Sequence, residues 1–299
     1  MVKVELCGLE LRNPVIPASG TFGFGLEMDG VYDLDLLGGI SLKGTTLEAR
    51  EGNPCPRIAE CPDGMINSVG LQNPGIDVLV EQKIPGLRKI YGGIIIANIS
   101  GFSTKEYVSC CRKAAKVADI VEVNISCPNV HGGGLAFGTS PRAAAEVTAA
   151  VKKVCGRTPV FVKLSPNVTD ITEIARACED AGADGLTLIN TILGMRIDLK
   201  TRRPVVAQRY GGLSGRAVLP VALRMVNQVS HACSIPIMGC GGVASARDVI
   251  EMMMAGASVV QIGAENLRNP MVCKEIVEEL PLVMEELGIK DINEIKGIV

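Results

Sequence analysis

The sequence predicts an α/β fold, a (β/α)8 TIM barrel with insertions at the C-terminal face of its strands. Three observations predict it. Eight short, nearly continuous apolar runs of strand length recur along the 299 residues, as suits strands buried on both faces. Helical patterns with recognisable N-caps separate the later runs. Polar residues or glycine gather at the carboxyl end of every run, and in such a barrel those ends converge on the active-site face. The runner-up is an open doubly wound sheet. Residues 1–299 read economically as one domain, because no repeat, low-complexity tract or linker interrupts them.

The strand-like runs are residues 13–18, 39–43, 93–98, 120–125, 159–164, 184–189, 236–241 and 258–263. Between them, Thr104 can cap a helix reaching about Val117. Ser140 followed by Pro141 supplies an N-cap and an N1 proline for a helix to about Cys155. Thr169 and Asp170 open another that ends near Ala181-Gly182, and one more covers residues 217–231. Ser245 caps a helix ending near Ala255-Gly256, and Asn269-Pro270 opens the last. Two connections are too long for a helix alone. Residues 44–92 must hold further structure, and residues 191–215, rich in Gly, Arg and Leu, read as an insertion over the barrel mouth.

Composition narrows the function. Hydrophobic residues make up 47% and aromatics 3%, with no Trp, so the core rests on aliphatic side chains and offers no base-stacking platform. With 30 basic against 32 acidic residues and no long basic run, nucleic acid and anionic membranes are disfavoured partners. Eleven cysteines include no CxxC, and only His131 and His231 accompany them, so zinc or iron–sulfur spacing is absent. Most of the cysteines read as reduced, buried small hydrophobes. The N-terminus, Met1-Val-Lys-Val-Glu-Leu, lacks a signal-peptide pattern, and no apolar stretch is long enough to span a bilayer. A cytoplasmic protein is expected.

The strand ends carry the chemistry. They offer Ser19, Lys43-Gly44, Asn98, Asn124 with Ser126-Cys127, Lys163, Asn190-Thr191, Gly241-Gly242 and Gly263-Ala264. Lys163 lies inside Val160-Phe-Val-Lys-Leu164, and an ammonium aimed into the barrel calls for an anionic ligand. Gly239-Cys-Gly-Gly242 before a Ser245-capped helix, and Gly263-Ala264 shortly before another, match a phosphate cradle after strands seven and eight. Gly211-Gly-Leu-Ser-Gly215 can add amides. A phosphate-bearing cofactor with its ring at the barrel centre follows, and flavin mononucleotide (FMN) fits, with a lysine favouring the anionic reduced ring.

The segments NPVIPASGTFGFG, SLKGTT, GMINSVGLQNPG, VEVNISCPNVHGGG, VFVKLSP, LINT, GGLSG and GCGGV together resemble class 1 dihydroorotate dehydrogenases. The resemblance runs from about residue 2 to 285 and is most like the catalytic subunit of class 1B. It implies oxidation of dihydroorotate to orotate in pyrimidine synthesis, with Cys127 taking the C5 proton while hydride leaves C6 for the flavin. It implies substrate contacts from Lys43, Asn67, Ser68, Val69, Gly70, Leu71, Asn124, Asn190 and Thr191. For FMN it implies Ser19, Lys43, Gly44, Asn98, Asn124, Lys163, Ile189, Gly215, Gly241, Gly242, Gly263 and Ala264. Ala264 stands where many relatives have Thr, so only a hydroxyl contact to phosphate is affected.

The resemblance further implies a homodimeric core and a partner subunit carrying FAD and a [2Fe-2S] cluster, in a heterotetramer of two plus two that passes electrons to NAD. The Gly132–Gly134 run suggests a loop able to close Cys127 over substrate. Alternatives are a fumarate-dependent class 1A enzyme and a dihydropyrimidine dehydrogenase module acting on uracil or thymine. A barrel lyase using Lys163 as a Schiff base and a non-catalytic scaffold stand further off.

Overall fold

The computed structural model describes residues 1–126 and 137–299. Cys127, His131 and the Gly132–Gly134 run lie outside the described residues, and so does the expected loop closure.

Eight parallel strands form the barrel: β1 Val15–Pro17, β2 Gly39–Ser41, β3 Ile94–Ile99, β4 Ile120–Asn124, β5 Val160–Lys163, β6 Gly185–Leu188, β7 Ile237–Cys240 and β8 Val259–Ile262. Each lies within one of the eight apolar runs, apart from Ile99 at the end of β3. They pair in chain order from β2 to β8, and β8 pairs with β1. The seam between β1 and β2 is drawn together by the Gly38 N–H, which donates to the Val15 carbonyl at 3.0 Å. With β1 and β2 thus adjacent, the sheet closes as a barrel rather than standing open. The buried Asn13 pins the same seam, its amide donating to the Leu36 carbonyl at 2.7 Å and accepting from the Val15 N–H at 3.0 Å.

Burial explains the near-continuous apolar runs. Val121 and Val123 alternate with Glu122 and Asn124 along β4, and all four are buried. Successive side chains of a strand point to opposite faces, so one set meets the helices and the other the barrel interior. Helix Pro141–Cys155 shows the outer layer: Ala144, Val147, Thr148, Val151 and Cys155 are buried at helical spacing. Its Ser140 hydroxyl accepts from the Ala143 N–H, as expected of the cap.

Three expected boundaries move. Ser103, not Thr104, caps helix Thr104–Ala114, because the Ser103 side chain accepts from the Glu106 N–H at 3.3 Å while Thr104 is already helical. The helix expected over 217–231 begins as a 3-10 turn, Arg216–Val218, and becomes α-helical at Leu219–Ala232, where Pro220 suits the first turn. A short helix, Glu265–Arg268, precedes the last, Val272–Glu286. Asn269 and Pro270 form the turn between them, with Asn269 accepting from the Met271 N–H at 3.0 Å.

The two long connections meet in space. The first holds strands Ile58–Cys61 and Gly64–Asn67 and a helical stretch over 76–87. The second holds Ile192–Gly194 and Gly211–Ser214, which pair antiparallel. Gly211–Ser214 also pairs with Gly64–Asn67, Gly212 opposite Asn67, so the insertions share one four-stranded sheet. The β1–β2 connection carries only 3-10 turns, Leu26–Met28 and Leu34–Leu36. An N-terminal hairpin, Val4–Leu6 with Leu9–Leu11, was not legible in the sequence. It lies at the amino end of β6, where Cys7 Sγ donates to the Asp184 carbonyl at 3.5 Å. No helix of the described residues is long and apolar enough to cross a membrane.

The seam is testable. A Cβ at Gly38 would lie 2.0 Å from the Asn13 carbonyl oxygen, a backbone atom with little freedom to withdraw. Gly38→Ala is expected to destabilise the fold by about 3 kcal/mol, the upper range for overpacking, read as a lowered midpoint in urea.

Candidate active site

At the carboxyl ends of the strands a cavity encloses about 1130 Å³ of empty space, its open mouth included. Ser19 follows β1, Lys43 and Gly44 follow β2, Asn124 ends β4, Lys163 ends β5, and Ile189 to Thr191 follow β6. Gly241 and Gly242 follow β7, while Gly263 and Ala264 follow β8. The insertion sheet supplies the remaining wall with Asn67, Val69, Gly70, Leu71 and Gly215. Of the expected site residues among those described, Ser68 and Asn98 do not line the cavity. Both are fully buried, Asn98 behind Gly44 and Ser68 within the insertion wall.

The 67–71 segment is held from behind. Its backbone is clamped by Ser68 N–H to the Arg57 carbonyl at 2.8 Å and by Asn53 Nδ2 to the Ser68 carbonyl at 2.9 Å. Leu71 has φ +59, a costly conformation for a residue with a Cβ. The buried Asn73 stabilises it: its Nδ2 donates to the Leu71 carbonyl and to Thr46 Oγ1, both at 2.8 Å. Ser68 is held through its main chain, its buried hydroxyl lacking a hydrogen-bond partner, while the flanking Asn67 and Val69 line the cavity.

On the opposite wall, Asn124 Oδ1 accepts from the Ser126 N–H at 3.2 Å, the Ser126 hydroxyl at 2.8 Å and Asn190 Nδ2 at 3.4 Å. With that oxygen engaged, Asn124 offers its NH2 to the cavity. Asn190 is fixed in turn, donating to Ser126 Oγ at 2.7 Å and accepting from the Thr191 N–H at 2.8 Å. Ser126, named in the sequence among the polar strand ends but given no role there, orients both asparagines. Its place between Asn124 and Cys127 was the available signal.

Under the cavity lies a polar layer that the sequence reading missed. Glu122 is fully buried and accepts from Thr187 Oγ1 at 2.8 Å, Gln261 Nε2 at 2.7 Å, Ser41 Oγ at 3.3 Å and Asn98 Nδ2. Gln261 Oε1 accepts from Lys163 Nζ at 3.1 Å. The usable signal was a charged residue inside an otherwise apolar strand.

The ten described cysteines are free thiols, and six are buried. Burial pushes Cys110, Cys178 and Cys233 up to about 12, with nearby Glu179 adding to the effect at Cys233. Cys240 lines the cavity, yet burial raises it too, against the opposing pull of Lys163. These groups stay protonated at neutral pH and are poor nucleophiles. Exposed Cys7 is pushed to about 11 by partial burial and Asp184. Brief iodoacetamide treatment at pH 8, mapped by mass spectrometry, is therefore expected to label exposed Cys55 well ahead of Cys7. Cys110, Cys178 and Cys240 should remain unlabelled until the protein unfolds.

Known proteins bear on this site. One relative, from Bacillus cytotoxicus, is 54% identical over 298 residues, which cover 99% of this chain and 96% of the relative. Others are 54% identical in Anoxybacillus flavithermus and 53% identical in Enterococcus faecalis, each over 98% of this chain and 94% of the relative. All three carry the name dihydroorotate dehydrogenase B (NAD(+)), catalytic subunit. The family model described as dihydroorotate dehydrogenase matches residues 1–284, a span that includes all eight strand ends and both insertions. The chain belongs to the dihydroorotate dehydrogenase family.

Proposed function

We propose that the chain catalyses FMN-dependent oxidation of dihydroorotate to orotate in pyrimidine biosynthesis. The observation that carries this reading is one cavity lined by two lysines, Lys43 and Lys163, together with Asn67, Asn124 and Asn190, in a chain whose near full-length relatives carry that activity in their names.

The residues present fit FMN. Asn98 Oδ1 is buried without a hydrogen-bond partner, and a Cβ at Gly44 would lie 2.8 Å from it, so an acceptor waits beside the cavity wall. At the far end Gly242 has φ +79, and a Cβ there would lie 2.5 Å from the Leu219 nitrogen. That corner has no room for a side chain, which suits a phosphate held by backbone amides. Lys163 would balance negative charge on the ring, and Gly241, Gly263 and Ala264 would complete the cradle.

Bound FMN supplies the acceptor for the hydride that leaves C6 of dihydroorotate. The protein does the rest. Lys43 opposes the substrate carboxylate, while Asn67, Asn124 and Asn190 meet the donors and acceptors of the dihydropyrimidine ring. The walls at Val69 and Leu71 limit water. Cys127, next in the chain after Ser126, takes the C5 proton on sulfur as the C5–C6 double bond forms. Asn190 and Ser126 are tied together by a 2.7 Å hydrogen bond, which holds the Asn190 amide for the ring.

The relatives' shared name, a catalytic subunit with NAD(+), supports a partner subunit. We place FAD and a [2Fe-2S] cluster on that partner, in a heterotetramer built on a homodimer of this chain. We further read residues 1–299 as one catalytic domain working in the cytoplasm.

Anaerobic mixing with dihydroorotate tests the reading. The flavin absorbance should bleach, and NAD should restore it only with the partner subunit present. Bleaching by dihydrouracil but not by dihydroorotate would reassign the substrate. Cys127→Ala should slow bleaching at pH 7 by at least about 100-fold, as expected for loss of a general base, with FMN content unchanged.

A further inference from the structure

Glu122 is a carboxylate fully buried in the middle of a barrel. Burying a charge costs several kcal/mol, and aliphatic side chains would fill the space without that cost. Its four donors come from β2, β3, β6 and β8, and both carboxylate oxygens are doubly engaged. Glu122 therefore reaches residues from half the strands of the barrel.

The carboxylate also sets direction. An amide has one donor end and one acceptor end, whereas a carboxylate only accepts. Asn98 and Gln261 must both turn their NH2 groups to Glu122, since reversing either would set oxygen against oxygen. Their carbonyls consequently point the other way. Gln261 Oε1 takes Lys163 Nζ at 3.1 Å, and Asn98 Oδ1 is left beside Gly44 without a partner. Lys163 is only 5% exposed, so this bond largely decides where its ammonium sits.

We propose that Glu122 is a positioning residue for the cofactor site: it orients the amides of Gln261 and Asn98, and through Gln261 it anchors the Lys163 ammonium at the cavity floor. The inference rests on the reading that FMN occupies this cavity. A fixed ammonium favours the reduced, more negative flavin over the oxidised one, so Glu122 raises the flavin potential indirectly. Acting as a bare negative charge it would lower it.

That opposition of sign makes the test. FMN affinity, read by fluorescence quenching on reconstitution, and the flavin midpoint potential are measured for Glu122→Gln, Gln261→Met, Lys163→Met and the Glu122→Gln/Lys163→Met pair. Glu122→Gln and Gln261→Met should each weaken FMN binding about tenfold, the scale of one hydrogen bond to a charged group. Each should also lower the ratio of reduced to oxidised affinity about tenfold, a fall of about 30 mV for a two-electron couple. In the Lys163→Met background, Glu122→Gln should change the ratio of reduced to oxidised affinity by less than about twofold, as expected when that effect runs through Lys163.

A rise in midpoint on Glu122→Gln overturns the proposal, and so does a full effect on that ratio that persists without Lys163. A lowered melting temperature with an unchanged midpoint assigns Glu122 a structural role only and overturns it as well. Gln261→Met keeps both charges and carries the test alone if Glu122→Gln does not fold; a wild-type midpoint there is disproof. Wild-type FMN affinity and midpoint in Lys163→Met would instead remove the cofactor reading itself.

Discussion

A carboxylate at the centre of a parallel barrel can be satisfied only if several strands deliver donors to one point, and Glu122 is satisfied in that way. Ser41, Asn98, Thr187 and Gln261 are scattered over more than two hundred residues of sequence. They meet because the strands lie in fixed register, Asn98 beside Glu122 and Thr187 beside Lys163. The acceptor-only chemistry of the carboxylate then propagates outward through two amides to the cavity. The outward direction of the Asn98 carbonyl and the seat of the Lys163 ammonium at the cavity wall are decided one layer below.

The closed barrel makes this layer possible, and the insertions make it useful. Strand ends alone would leave a shallow dish, open to water. The two long connections pair through Gly64–Asn67 and Gly211–Ser214 and raise a wall on which Asn67, Val69 and Leu71 stand opposite the strand ends. Asn73 and Asn53 donate to the carbonyls of Leu71 and Ser68, holding the wall in a conformation that includes Leu71 at positive φ. Rigid support from behind lets a loop carry specificity.

Much of the fold was legible because its signals are local. Strands buried on both faces must be apolar along their whole length, so all eight were visible as runs, and Ser140-Pro141 and Ser245 marked helix starts by the chemistry of unsatisfied N–H groups. Errors fell where two local answers compete, as at Ser103-Thr104, or where no periodicity exists, as in the short N-terminal hairpin. The site was legible in part for the same reason: a polar residue at the end of a buried run stands out, and Lys43, Asn124, Lys163 and Asn190 all line one cavity. Glu122 did not stand out, because it lies within a run and the hydrophobic pattern around it masks the face it occupies.

By itself, then, the sequence determined the strand set, the helix starts, the polar character of the strand ends and the family resemblance, all of which depend on residues near one another in the chain. Tertiary structure alone decided three things. The β1–β2 seam closes through Gly38 and Asn13, the two insertions join in one sheet, and four donors from separate strands converge on Glu122. Each depends on groups far apart in sequence, whose partners are set by strand register and barrel closure rather than by local propensity.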